Sequence, residues 1–295
     1  GVASLTALSP RPVAPECAAP AAPRFAILEA VACKRHYFMG RHQILTLARF
    51  ARLEARRTRL YWLFAAALAL VYAGALFVQQ LAITESARIE TAFAASASRL
   101  AGVFVLALHI LTSLVREFND KGLELTLSFE LKRSDYVLGK MLGFASIALV
   151  IALLAGAPLL TLAPAATVAQ WTLSLACELV TVAALSLFCM LAFTQLAAAA
   201  CFVAGFYLLA RAMTAIQLIS AHPIVDTGEW SQRFIAWFID ALALFLPGLD
   251  RFASSAWLVD ATGGWTVVIQ CAAQAVLYAA LLTAAAMFDF HRRNL

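Results

Sequence analysis

The sequence predicts an all-α, polytopic membrane protein of about six transmembrane helices, and three observations carry that prediction. The first is composition: of 295 residues, 63% are hydrophobic and only 13% charged, with a mean hydropathy of +0.84. Soluble globular domains rarely reach such values. The second is the recurrence of apolar runs of the length that crosses a bilayer, about 20 residues each. They fall near Leu60–Val78, Leu100–Val115, Met141–Ala163, Trp171–Phe193, Gln195–Ile216 and Thr266–Phe288. The third is charge asymmetry. An even number of spans with both ends inside puts only Arg88, Arg99, Arg211, Arg233 and Arg251 outside, so the 22 basic residues divide 17 to 5. That is the bias of the positive-inside rule, and it assigns the chain to the inner (plasma) membrane with both termini cytoplasmic. The net charge of +5 is thereby a matter of topology and calls for no nucleic acid.

Residues 1–38 form a Pro- and Ala-rich extension with too few large apolar side chains to offset the entropy of ordering, and are expected to be disordered. No basic start followed by an unbroken apolar core marks a secretory signal, and much of what precedes Met39 is expected to be dispensable. The transmembrane domain is then 39–295. Its first feature, Ile44–Arg59, sets Ile44, Leu47, Ala48, Phe50 and Leu53 against Arg49, Arg52, Arg56, Arg57 and Arg59. This is the pattern of a helix lying in the inner interface, and equally that of a positive anchor for the first span.

Gln79–Ser98 reads as a short, mixed outer loop. The second span holds His109; an ionisable group at that depth is a functional candidate by default, on a translocation path or, more ordinarily, packing against a neighbouring helix. Gly143, Gly156 and Pro158, with Pro164 beyond, mark close packing or a bend in span three. Span four carries Glu178, for which substrate contact, proton coupling and a structural hydrogen bond to a Ser or Thr of another helix all fit, the last best. "AFTQL" makes spans four and five a tight hairpin, after which Arg211 and Gln217 announce the outer surface.

Residues 220–264 are too interrupted to span but rich in aromatics. Phe234, Phe238, Ala241 and Phe245 recur at helical spacing, Pro247–Gly248 makes a turn, and "LDRFASSAWL" suggests a second short helix. The expected structure is an outer-leaflet re-entrant helical hairpin with Trp230, Trp237, Trp257 and Trp265 at headgroup depth; a cap held by aromatic packing is the alternative. The six cysteines form no CxxC and no zinc-like spacing. Four lie in spans and read as buried free thiols. Arg292 and Arg293 fix the last end inside.

One stretch stands apart: 116–140, "REFNDKGLELTLSFELKRSDYVLGK", a polar island between two spans. Its centre alternates apolar and polar residues, the signal of a strand. A lone strand would leave its backbone groups unpaired; a helix satisfies them internally, with Leu123, Leu127 and Leu131 on one stripe and Leu125 and Phe129 nearly opposite. A helix apolar on two sides suits an element clamped between a membrane domain and a second protein.

The same stretch resembles the cytoplasmic loop of ABC-2 type transporter permeases, the membrane subunits of ABC exporters. The match runs through the Arg116–Glu117 pair, Gly122, Glu124–Leu125, Arg133–Ser134 and Tyr136–Lys140, about a tenth of the chain. It departs at Phe129–Glu130, where the family often carries a Pro. The resemblance implies a cytoplasmic coupling helix, with Glu117, Gly122, Leu123, Glu124, Leu127, Leu131, Arg133, Tyr136 and Lys140 passing motion from separate ABC ATPase subunits to the spans. It implies re-entrant helices before the last span and a second copy of the permease, in contact with membrane lipids. ATP and Mg would be bound by the partner ATPase, and this chain would hold no cofactor and no metal. In agreement, the sequence contains no GxxxxGK[ST], and no HExxH or GxSxG suggests that it is itself an enzyme. Two other classes stay open: a non-transporting membrane anchor or assembly protein, and a proton-coupled secondary transporter using Glu178 and His109. Nothing in the sequence names a substrate.

Overall fold

The computed structural model describes residues 43–81, 86–119, 133–193, 195–221, 230–260 and 264–292. Six helices are long and apolar enough to cross a membrane, and no strand occurs among the described residues. An amphipathic helix α1 spans 43–57. It is followed by α2 (Leu60–Leu81), α3 (Ser86–Asn119), α4 (Arg133–Leu159), α5 (Ala165–Ala192) and α6 (Leu196–Ala221). Then come α7 (Trp230–Phe245), a 3₁₀ turn (Leu249–Arg251), the single turn α8 (Ala256–Val259) and α9 (Trp265–Arg292). The stretch expected to form a coupling helix, with Gly122, Leu123, Glu124, Leu127 and Leu131, lies outside the described residues, as do residues 1–38.

The bundle is organised around α5, of whose apolar window 78% is buried, against 17% for α2 and 28% for α6 and α9. Helix α5 packs on α3, α4, α6 and α9. The exposed flank of α2 carries Trp62, Leu63, Leu70, Phe77 and Leu81, a surface that a bilayer solvates and water does not.

Small residues set the closest approaches. In α1 Ala48, Ala51 and Ala55 are buried, and Leu47, Ala48 and Ala51 face Gly139 and Gly143 of α4. A Cβ on Gly143 would stand 2.7 Å from the Ala51 Cβ, and one on Gly139 would stand 2.8 Å from the Leu47 Cβ. Without side chains at these two positions the backbones come into contact and gain dispersion energy, as small-xxx-small pairs do in membranes. A Cβ on Gly156 would likewise collide with Thr172 of α5. Where α1 gives way to α2, Arg59 takes a left-handed conformation, φ 55°. The Thr58 amide donates to the Glu54 carbonyl at 2.9 Å and that of Arg59 to Arg56 at 3.2 Å, so the elbow satisfies the last carbonyls of α1.

Four expectations are corrected. The stretch 86–98 is helix rather than loop: α3 is 34 residues long, about 51 Å, and its first turns bury Glu90, Thr91, Ala94, Ala95, Ser98 and Arg99, with α8 among their neighbours. "LDRFASSAWL" is not one helix. It breaks at Phe252–Ser254 because Ala253 turns left-handed, φ 44°, to offer its backbone to α3 and α5. Trp257 is buried, unlike the exposed Trp230, Trp237 and Trp265. Among the cysteines, Cys189 and Cys271 are buried, but Cys201 is exposed on α6.

Candidate functional site

Two polar clusters stand out, one at the α3–α4 end of the bundle and one around the middle of α5. At the end where α3 runs into residues 120–132 and α4 emerges from them, Lys140 is 1% exposed and its Nζ lies 2.5 Å from Glu117 Oε2. The heptad-like step from Arg133 to Tyr136 and Lys140 puts these three on one side of α4. Tyr136 stacks on Phe290 of α9 with centroids 5.9 Å apart. Arg133 donates to the Phe290 carbonyl at 3.1 Å and sits 5.7 Å from its ring. Of the residues singled out in the polar island, Glu117, Arg133, Tyr136 and Lys140 are therefore brought together. They tie α3, α4 and α9 together at the helix ends that border 120–132 in sequence. A buried Lys and its carboxylate gain in low dielectric only while both are present; removal of one strands the other.

His109, about two turns deeper in α3, is buried, with Nε2 making no hydrogen bond among the described residues. It lines a cavity of about 270 Å³ with Glu54, Thr58, Ser113 and Arg116, in which the Ser113 hydroxyl donates to Glu54 Oε1 at 2.7 Å. Sequence reasoning gave His109 no partner; Glu54 enters its neighbourhood only because α1 folds back along α4.

The second cluster surrounds Glu178, which is wholly buried. Its Oε1 accepts from the Tyr207 hydroxyl at 2.9 Å and lies 3.7 Å from Arg211 Nη1. The expected Ser or Thr partner is replaced by a Tyr and an Arg, four residues apart on α6 and so on one face. Arg211 turns inward instead of marking a surface: it donates to the carbonyls of Leu249 at 2.6 Å and Phe252 at 3.3 Å. Arg99, placed outside by charge counting, is buried and donates to the Ala253 carbonyl at 2.8 Å. Trp171 Nε1 donates to the same carbonyl at 3.0 Å, and the Ala253 amide donates to Ser174 Oγ at 3.1 Å. Segment 249–253 is thus held by side chains of α3, α5 and α6, and two guanidiniums share one carboxylate with three backbone carbonyls. Glu178 and His109 belong to different clusters, and no described contact joins them.

Comparison of the chain with protein-family models and with curated proteins finds no match.

Proposed function

We propose that this chain is the membrane subunit of an ABC-2 type exporter, docking separate ATPase subunits at the α3–α4 connection and working as a pair of copies. The observation that carries the reading is the Glu117–Lys140 pair. It clasps the two helices that enter and leave the polar island, and Arg133 and Tyr136 fasten the same point to α9. Such a joint moves as one piece, so a displacement of Leu123–Leu131 by a docked ATPase would be delivered to three helices at once. Coupling needs an element with two arrangements; the proposal assigns that role to the island and its clasp.

In this reading 120–132 is cytoplasmic, the ATP and Mg sit on the partner, and 230–259 dips into the outer leaflet before the last span. The Glu178 cluster then has a structural duty, holding segment 249–253 in place, and does not lie on a proton route. The test is coupling in the reconstituted complex. Replacing Glu124 or Leu127 by Ala is expected to leave insertion intact while ATP hydrolysis loses its stimulation by transport. Unchanged coupling in both variants would overturn the assignment. Transport that persists without ATP and collapses with the proton gradient would instead identify a secondary transporter.

A further inference from the structure

Beside the α1–α4 contact lies an open cavity of about 620 Å³ lined by Arg49, Arg52, Leu53, Arg56, Tyr61, Val150 and Leu154. We propose that it binds an anionic phospholipid, the phosphate among the three guanidiniums and an acyl chain along Val150 and Leu154.

Four features converge on that ligand. Arg49, Arg52 and Arg56 recur at i, i+3 and i+7, which puts them on one face of α1. All three are exposed, and no ion pair or hydrogen bond joins them to another described side chain. The only acidic residue of α1, Glu54, could have neutralised them. It points the other way, accepting from Ser113, so the lining of the cavity carries positive charge alone. Helix α1 cannot roll to hide this face in protein, because Leu47 is seated against Gly139 and Ala48 and Ala51 against Gly143. Finally, the floor is apolar and belongs to a membrane-crossing helix. A free phosphate would use the guanidiniums and leave Val150 and Leu154 bare; a phospholipid uses both. Guanidinium is suited to the task, since its planar fork pairs with phosphate oxygens and is less costly to dehydrate than an ammonium. The inference rests on the membrane character of the chain and is independent of the transport reading.

The experiment uses the purified full chain in neutral detergent, with thermal unfolding followed by tryptophan fluorescence and bound lipid counted by native mass spectrometry. Phosphatidylglycerol, phosphatidylcholine and inorganic phosphate are added separately at matched concentration. Phosphatidylglycerol is expected to raise the unfolding temperature and to stay bound; the other two are not. Each arginine near an anionic headgroup contributes about a factor of five in binding. Accordingly Arg52→Gln and Arg56→Gln are each expected to weaken phosphatidylglycerol binding about fivefold, and Arg57→Gln, outside the cavity, to leave it unchanged. Val150→Trp fills the floor without altering charge and is expected to abolish retention. Equal weakening by Arg57→Gln would show diffuse attraction to the interface and overturn the site. So would full retention in Val150→Trp, or the same stabilisation by inorganic phosphate. Should the variants fail to insert, the wild-type chain decides alone: no preference for phosphatidylglycerol over phosphatidylcholine refutes the proposal.

Discussion

Replacing Glu178 by Gln tests the physical account of the bundle interior most sharply, because it changes charge and almost nothing else. The amide keeps the volume of the wholly buried side chain and can still accept from Tyr207, now 2.9 Å away. What disappears is the carboxylate beside Arg211, which is 22% exposed. Arg99, 5% exposed, loses the same counter-charge. At 3.7 Å and an effective dielectric near 20, one such pair is worth about 4 kcal/mol of Coulomb energy. Relief of the buried carboxylate's own dehydration returns part of it. Removing one member of a buried pair costs about 3–5 kcal/mol; with the backbone carbonyls of Leu249, Phe252 and Ala253 still accepting from both arginines, the lower end, about 3 kcal/mol, is expected. Equilibrium unfolding in mixed micelles measures it, and a double-mutant cycle with Arg211→Met isolates the pair. The cycle is expected to return a coupling of at least about 1.5 kcal/mol. A Glu178→Gln protein within about 0.5 kcal/mol of the parent, or strict additivity in the cycle, would refute the reasoning.

Four further outcomes follow from the same geometry. Gly156→Ala drives a methyl into Thr172 and is expected to destabilise by about 1–3 kcal/mol, most of it recovered by adding Thr172→Ala, as read by the same unfolding assay. Ala253→Val puts a β-branched residue at φ 44° in the buried segment that meets Arg99 and Trp171. A loss of at least about 2 kcal/mol is expected, together with faster proteolysis between α7 and α9. Lys140→Met leaves Glu117 without its cation and is expected to cost about 3 kcal/mol. Asp260→Asn breaks only the exposed Arg88 pair and is expected to change stability by less than about 1 kcal/mol.

The six spans were legible because each apolar run comes close to or passes the roughly 20 residues that cross a bilayer, a property of composition that needs no knowledge of neighbours. Their partners were not. Glu178 could be recognised as costly from its surroundings in sequence, but Tyr207 and Arg211 sit about thirty residues on, and hydropathy does not say which helix faces which. The faint signal was available: a Tyr and an Arg four apart in an otherwise Ala- and Leu-rich run. Residues 86–98 misled because small and polar side chains read as loop, whereas here they fill a helix that packs on α5, α6 and α8. The elbow at Arg59 and the turn at Ala253 carry no Gly or Pro, so the left-handed backbone at each could not be foreseen. The GxxxG step from Gly139 to Gly143 and the alanines of α1 were in the sequence, yet their meaning depends on α1 folding back along α4. Glu117, Arg133, Tyr136 and Lys140 were singled out because all four belong to the same polar island, but that they meet one another and Phe290 of α9 was not legible in it.

The central claim, that the α3–α4 connection docks an ATPase, is tested most directly by purifying the native complex in mild detergent, identifying what accompanies the chain, and assaying ATP hydrolysis. The account predicts a P-loop ATPase in one-to-one proportion whose turnover falls when Leu127 is replaced by Ala. A chain that purifies alone, with no ATPase activity before or after reconstitution, would contradict it.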